Sequence, residues 1–583
     1  MKKTGSEIII HILEALGVKI AAGIPGSSIL PLYDALSKSS IRHIAVRQEQ
    51  AGGFLAQGIA RSTGDVGVCF ATSGPGAMNL LTAIADARSD SVPIVAITGQ
   101  VNSKLIGTDA FQEADTFGLS FPITKHSFMV KSVEELFTVI PEAFKIAISG
   151  RPGPVLIDVP IDIQSEVLQF DEWPEIGTSS DTLNLVAAQN SPSQKASIFH
   201  TTPAEYAERT KKIVSLLYKS KKPVLLLGGG CNNFEASKEI RKFISTFEIP
   251  VVSTLMGLGA VPKSDKNFIG MIGIHGSDAA NSCVHDSDLL IAVGTRFDER
   301  ATRVFASSLE NGHDVESLFC PKAKIVHIDI DAAEINKIIS SDVSIVADAQ
   351  SVFPILTSLV LEKEKNGKTE SENKAFEARK KWIMKFQKKR DTLKKISPSK
   401  KGFVNPAAFI SEIPSLAEKH GIKKSDIIVT TDVGQHQVWA AKYFPVENPR
   451  SFLTSGSLGT MGFGLPAAIG ASLSNSGKHV ICFSGDGSIL MNIQELQTLS
   501  ELKLPVTIFV FQNKAYGLVK QMQKYKYSGN YSASVFESNP DFVSIAKGFG
   551  IDAVNAKDDG WETFAFSGKP CLVVVETDTE EEA

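Results

Sequence analysis

Long apolar runs are missing: no stretch of the 583 residues approaches the roughly 20 that a membrane-spanning helix requires, so no membrane span is expected. Cysteine is scarce. The six present (Cys69, Cys231, Cys283, Cys320, Cys482, Cys571) are scattered, form no CxxC pair and fall in several cases inside apolar runs. That spacing speaks against zinc and disulfides and for buried thiols in a reducing compartment, with the cytoplasm as the expected location. Charge of one sign is also missing. With 60 basic and 64 acidic side chains and a net charge of −4, composition gives no reason to expect nucleic acid. The N-terminal run MKKTGSEIIIHILEALG lacks a long hydrophobic segment, because His11 and Glu14 break it, and it fits an amphipathic helix better than a signal peptide. There is no GxGxxG fingerprint, so no redox dinucleotide site follows from a motif. No short repeat is present either, although α/β domains in tandem hint at a triplicated architecture.

What is present is an ordinary globular composition, 43% hydrophobic and 21% charged, on a chain too long for one core. Apolar β-rich runs alternate with helical patterns, the mark of α/β layers around mostly parallel sheets. The expected division is a first domain over 1–170, a Ser/Thr-rich linker over 171–204, a second domain over 205–350, a basic helical linker over 351–402 and a third domain over 403–583. The basic clusters Ala378-Arg379-Lys380-Lys381-Trp382 and Lys388-Lys389-Arg390 read as a solvated helix face.

The most informative stretch runs from Val480 to Gln521. An apolar run to Phe483 stops at Ser484-Gly485-Asp486-Gly487-Ser488, a helical segment follows, and a second run, Val506 to Phe511, ends at Gln512-Asn513. In a parallel βαβ unit both turns lie at the carboxyl edge of the sheet, so Asp486 and Asn513 can converge. A carboxylate and an amide oxygen suit Mg²⁺, which completes its octahedron with water and ligand phosphate. Gly485 and Gly487 leave room for such a ligand. The same spelling also serves a plain strand-ending turn. In the first domain Glu49 opens a helical segment after a strand, a position that equally suits a surface carboxylate at a helix N-terminus.

Gly-Asp-Gly-Ser followed one strand later by Asn resembles the metal-diphosphate motif of thiamin-diphosphate enzymes. The first-domain runs RQEQAGGFLAQGIAR from Arg47, ATSGPGAMNLLTAIADARSDSVPIVAITGQ from Ala71, IGTDAFQEAD from Ile106, ITKH from Ile123 and SGRPGPVLIDVP from Ser149 look like the pyrimidine-binding domain of acetohydroxyacid (acetolactate) synthases. The likeness covers nearly the whole chain apart from its linkers. It implies three doubly wound parallel-sheet domains that bind, in order, the pyrimidine, FAD and the diphosphate. It implies an enzyme that decarboxylates pyruvate on thiamin diphosphate and adds the hydroxyethyl carbanion to a second pyruvate or to 2-ketobutyrate, in branched-chain amino-acid biosynthesis.

Residue by residue, the resemblance puts Asp486, Asn513 and the carbonyl of Ala515 on Mg²⁺. Gly434, Gln435, His436, Gly487 and Ser488 fall at the diphosphate, and Gly26, Glu49, Gly459 and Met461 around the rings, with Glu49 on the pyrimidine nitrogen and Met461 under the cofactor's bend. FAD, largely structural in the family, would meet Arg151, Gly228, Gly229, His275, Gly276, Arg296, Asp329 and Asp348. Phe111, Gln112, Arg300 and Met522 would line the substrate pocket, Gln112 acting in catalysis and Arg300 taking the second ketoacid's carboxylate. Glu49 and Asp486 lie in different domains, which in this family meet across subunits, so a homodimer or homotetramer is implied, with a separate small regulatory subunit as a partner.

The sequence departs from the family pattern at Ile161 (usually Lys), Glu299 (usually Asp), Ser27 (usually Gly) and Met522 (often Trp), and it stops at Glu580-Glu581-Glu582-Ala583 where the family continues into a tail that helps close the site, so looser closure is expected. Met522 carries the expectation of weak discrimination between pyruvate and 2-ketobutyrate. Other outcomes consistent with the residues are a related carboligase, a pyruvate oxidase, or a catalytically silent paralogue.

Overall fold

The computed structural model describes residues 1–174, 203–304, 315–392 and 400–583. Most of the expected linker over 171–204 lies outside the described residues. Three six-stranded sheets are laid out along the chain, each parallel throughout. Their central strands are buried from end to end, which is why they read as unbroken apolar runs rather than alternating ones.

A short strand β1 (Lys2–Thr4) pairs antiparallel with β8 (Val167–Gln169), tying the N-terminus to the end of the first domain. The first sheet comprises β2 (Ile20–Gly23), β3 (Arg42–Ala45), β4 (Gly67–Ala71), β5 (Ile94–Gln100), β6 (His126–Met129) and β7 (Val155–Pro160), in the order β3-β2-β4-β5-β7-β6. The middle sheet comprises β9 (Pro223–Leu227), β10 (Val251–Ser253), β11 (Phe268–Met271), β12 (Leu289–Val293), β13 (Lys324–Asp329) and β14 (Val343–Val346), in the order β11-β10-β9-β12-β13-β14. The last sheet comprises β15 (Ile427–Thr431), β16 (Phe452–Thr454), β17 (His479–Gly485), β18 (Val506–Gln512), β19 (Asp552–Asn555) and β20 (Cys571–Glu576), in the order β16-β15-β17-β18-β20-β19.

The hint of triplication is therefore corrected. The first and third sheets share the order 2-1-3-4-6-5, whereas the middle one has the dinucleotide-type order 3-2-1-4-5-6 despite lacking its glycine fingerprint. Each sheet has a switch point where consecutive strands depart to opposite sides: β2/β4, β9/β12 and β15/β17. Crevices form there, at the strands' carboxyl ends.

The stretch 351–402 differs from the solvated linker expected of it. Helix Ala349–Asn366 buries Val352, Phe353, Leu356 and Val360 in the core shared by the second and third domains, and helix Glu370–Thr392 buries Ala375, Trp382, Ile383 and Phe386. Even Arg379 turns inward, with its guanidinium 4.1 Å from the ring centre of Phe247. Lys380, Lys381 and Lys388 stay exposed, so the basic reading holds for one face and the apolar face decides the packing.

The first and third domains meet where helix Glu49–Thr63 crosses helix Gly464–Ser474. A Cβ on Gly58 would stand 2.2 Å from the Ala467 carbonyl oxygen, and one on Gly470 would stand 2.1 Å from that of Leu55. Only glycine lets the two backbones approach so closely. At the joint between the second and third domains, half-buried Lys263 donates to the carbonyls of Ala441, Lys442 and Phe444, at the C-terminus of helix Gln435–Tyr443. Among the described residues no helix is long and apolar enough to cross a membrane.

Candidate active site

The switch point of the third sheet gathers the residues expected at a metal and a diphosphate, as the strand-turn pattern requires. Asp486 begins where β17 ends, Asn513 where β18 ends, and the Asn513 N–H donates to Asp486 Oδ2 at 3.0 Å. The same oxygen accepts from the Lys514 N–H at 2.7 Å and from Asn539 Nδ2 at 2.7 Å, while Oδ1 accepts from the Gly487 N–H at 2.9 Å. Burial raises the pKa of Asp486, and these four donors oppose that shift by favouring the anion. Asn513 Oδ1 accepts from the Ala515 N–H at 3.1 Å, and Asn513 Nδ2 donates to Gln435 Oε1 at 2.9 Å. A carboxylate and an amide oxygen brought together this way fit a hard cation. Among the described residues there is no cluster of three His, Cys, Asp or Glu.

Helix Gln435–Tyr443 points its first turn at the same crevice. His436 is buried, desolvation pushes its pKa down to about 3, and the ring is therefore neutral. Its Nε2 has no partner among the described residues, and a Cβ on Gly485 would stand 2.8 Å from its Nδ1. A buried polar atom left unpaired beside a helix N-terminus and two glycines is the fit expected of a diphosphate site. Ser488 Oγ donates to the Val433 carbonyl at 2.8 Å, and Tyr516 lies over Gly487, where a Cβ would come within 2.6 Å of the ring. Gly459 (φ +70°) and half-buried Met461 lie on the loop between β16 and helix Gly464–Ser474.

In the first sheet, the turns after β2 and β4 bring Gly26, Ser27, Thr72 and Gly74 together. Glu49, at the start of its helix, accepts from Asn79 Nδ2 at 3.0 Å. Thr72 Oγ1 is buried without a partner among the described residues. Gln112 adopts φ +60°, and its carbonyl oxygen lies 2.7 Å from where a Cβ on Gly74 would stand, so the loop carrying it is seated on this crevice. Beneath the loop, Gln100 Nε2 donates to the Ala114 carbonyl and to Asp158 Oδ2, both at 2.9 Å. Phe111 is 87% exposed and Met522 49%, and among the described residues no hydrogen bond joins Glu49 to the Asp486 turn.

A cavity of about 900 Å³ opens at the middle sheet's switch point. Arg151, Gly229, His275, Arg296, Asp329 and Asp348 all line it, while Gly228 and Gly276 stand just behind, one residue from lining neighbours. Burial pushes Asp329 up to about 6, raises Asp348 and lowers His275. The volume and the mixed lining fit a dinucleotide-sized ligand. Arg300 sits on the rim of this same cavity with a side chain 68% exposed, at 3.8 Å from Glu299, rather than beside Phe111 and Gln112 of its own chain.

Several contributors escaped the sequence reading. Asn539 holds Asp486 from a loop with no distinguishing pattern, and Asn79 holds Glu49 from the next helix. The last residues are tied to the same turns. Gln435 Nε2 donates to the Glu581 carbonyl at 2.8 Å, Thr579 Oγ1 to the Asn513 carbonyl at 2.8 Å, and Lys520 Nζ to the Thr579 carbonyl at 2.9 Å.

Family models of the thiamine pyrophosphate enzymes match the chain in three parts: the N-terminal TPP binding domain over residues 3–119, the central domain over 210–356 and the C-terminal TPP binding domain over 432–569. The acetolactate synthase isozyme 1 large subunit of Escherichia coli (strain K12) is 43% identical over 584 residues, covering 99% of this chain and 94% of that protein. A probable acetolactate synthase large subunit of Methanocaldococcus jannaschii is 42% identical over 554 residues, covering 94% and 87%. The acetolactate synthase large subunit of Corynebacterium glutamicum is 41% identical over 558 residues, covering 95% and 82%.

Proposed function

Because the chain belongs to the thiamine pyrophosphate enzymes, and within them to the acetolactate synthase large subunits, we propose that it makes acetolactate from two pyruvates, or acetohydroxybutyrate from pyruvate and 2-ketobutyrate, using Mg²⁺ and FAD beside thiamin diphosphate. The observation that carries the site assignment is the convergence of Asp486, Asn513 and Gln435 with the unpaired Nε2 of buried His436 at one switch point.

Bound thiamin diphosphate supplies the electron sink that no side chain offers to a decarboxylating 2-ketoacid. The chain's own residues bind, orient and shield. Asp486, Asn513 and the Ala515 carbonyl hold Mg²⁺, while Gln435, His436, Gly434, Gly487 and Ser488 take the diphosphate. Met461, with Gly459 beside it, supports the bend. Glu49 holds a proton at the pyrimidine ring nitrogen, with Gly26 alongside. Phe111 and Gln112 exclude water and orient the donor ketoacid, and Arg300 pairs with the acceptor's carboxylate. Arg151, Arg296, His275, Gly228, Gly229, Gly276, Asp329 and Asp348 hold FAD as a structural group.

One chain gives Glu49 and Asp486 separate sets of partners, which supports a homodimer or tetramer completing each site across subunits. The "large subunit" in the relatives' names supports a small regulatory partner. A cytoplasmic location fits six buried free thiols. The domain division proposed is 1–170, 205–350 and 403–583, with 171–204 and 351–402 connecting them.

The test is acetolactate formation from pyruvate with thiamin diphosphate, Mg²⁺ and FAD, comparing the intact chain with Glu49→Gln. Product from the intact chain and a loss of about 100-fold or more in the variant is expected. Equal rates would remove Glu49 from the chemistry, and no product despite bound cofactor would refute the activity.

A further inference from the structure

Met461 sits on a loop that its own domain holds at its start, where Gln437 Nε2 donates to the Ser455 carbonyl at 3.0 Å, and again on the side that follows Met461. There the Gly462 N–H donates to Asp432 Oδ1 at 2.8 Å. The part between is held from the first domain by three side chains that are almost wholly buried: Arg61, Asp86 and Asp90 are 6%, 0% and 0% exposed. Arg61 Nη2 bridges Asp86 Oδ2 at 3.1 Å and Asp90 Oδ2 at 3.0 Å, and its Nη1 donates to the Thr454 carbonyl at 3.0 Å. Asp90 then accepts the Gly456 N–H at 2.8 Å and the Ser457 N–H at 2.9 Å. Asp86 Oδ1 accepts the hydroxyls of Ser455 and Thr460, the latter at 3.0 Å, and the Thr460 N–H closes the loop onto Ser455 Oγ at 2.8 Å. From the middle domain, Arg296 joins in by donating to the Ser89 carbonyl and to Ser457 Oγ.

A cluster of two carboxylates and one guanidinium, sealed from water, is costly unless every lone pair is used. Here they are used on a loop from another domain. Met461 is thereby bracketed between two buried carboxylates, Asp86 through Thr460 and Asp432 through Gly462. Resting on the functional reading above, we propose that Asp86 and Asp90, held by Arg61, are positioning residues that fix the Met461 loop beneath the rings of thiamin diphosphate without touching the cofactor. They act on the ring end of the ligand and leave the diphosphate end, held by Asp486 and Gln435, alone.

The experiment measures the affinity of thiamin diphosphate and, separately, of inorganic diphosphate, each with Mg²⁺, for the full chain. Asp86→Asn is the direct variant. Because it disturbs a buried ion pair and can unfold the chain, Thr460→Val serves as the milder one and Thr460→Ser as its rescue. The expected result is thiamin diphosphate binding weakened about tenfold in Thr460→Val, inorganic diphosphate bound as by the intact chain, and Thr460→Ser restoring the first value. Unchanged thiamin diphosphate affinity in Thr460→Val, or a parallel loss of inorganic diphosphate, overturns the inference while leaving the functional reading standing. An intact chain that binds inorganic diphosphate but not thiamin diphosphate overturns that reading, and the inference with it.

Discussion

Gly58→Ala tests the contact on which the relative placement of Glu49 and Met461 within one chain depends. Glu49 opens the helix that carries Gly58, and Met461 lies just before the helix that carries Ala467. The added Cβ would fall 2.2 Å from the Ala467 carbonyl oxygen and 2.9 Å from both its carbonyl carbon and its Cα, all backbone atoms that cannot rotate aside. Restoring ordinary contact requires the helices to separate by about 1 Å, a gap that forfeits a quarter to a half of the dispersion attraction along the crossing. Overpacking of this kind costs about 1–3 kcal/mol, against about 1 kcal/mol returned by the better helix propensity of alanine. A net loss of up to about 2 kcal/mol follows. Gly548→Ala is the control, since nothing lies within 4 Å of a Cβ there. Thermal unfolding followed by circular dichroism and thiamin diphosphate affinity are the two assays. Gly58→Ala should lower both, and Gly548→Ala neither. A Gly58→Ala chain as stable as the parent, with unaltered affinity, would show that the crossing is not close packed.

Asn539→Ala leaves Asp486 in place but removes one of its donors, so Mg²⁺-dependent binding of thiamin diphosphate should weaken about 10–100-fold by titration; an unchanged affinity would make Asn539 a bystander. Burial pushes the pKa of Asp158 up to about 7 from the ordinary aspartate value of 3.8, with hydrogen bonds from Thr98 and Gln100 opposing the shift. The native chain thus binds a proton between those values that the unfolded chain does not, and this group's contribution to stability falls as pH rises from 4 to 7. Denaturant melts of Asp158→Asn should therefore lose that slope, about 1.4 kcal/mol per pH unit, relative to the parent. Met522 predicts little preference between acceptors: equal pyruvate and 2-ketobutyrate should give comparable amounts of the two products, and a predominance of the 2-ketobutyrate product would refute it.

The parts of the site that the sequence revealed are those in which a residue type is demanded by the end of its own strand. Asp486 and Asn513 were legible because β17 and β18 are short apolar runs that stop abruptly at polar turns, and adjacent parallel strands bring both turns to one edge. Sheet order was not legible, since runs of similar length and composition close into 2-1-3-4-6-5 in two domains and 3-2-1-4-5-6 in the third. Nor was the grip of Asp86 on Thr460, across 374 positions, because a buried carboxylate in a helix looks like a solvated one until its partner is known. In the stretch 351–402, lysines on one face outweighed Trp382 and Phe386 on the other, although it is the apolar stripe that determines where a helix docks.

The three switch points also account for where a largely structural ligand would belong. The middle-domain cavity is lined by Ser89, Asp90 and Arg151 from the first domain, Gly229, Arg296 and Asp329 from the second, and Arg450, Gly456 and Ser457 from the third. A ligand filling it touches all three domains at once, so its full set of contacts exists when they are docked. Tighter binding to the docked arrangement stabilises that arrangement by mass action, whatever the ligand's redox chemistry. Asp90 belongs both to this lining and to the clamp on the Met461 loop, so the arrangement stabilised by the middle domain's ligand is the one in which the thiamin site is assembled.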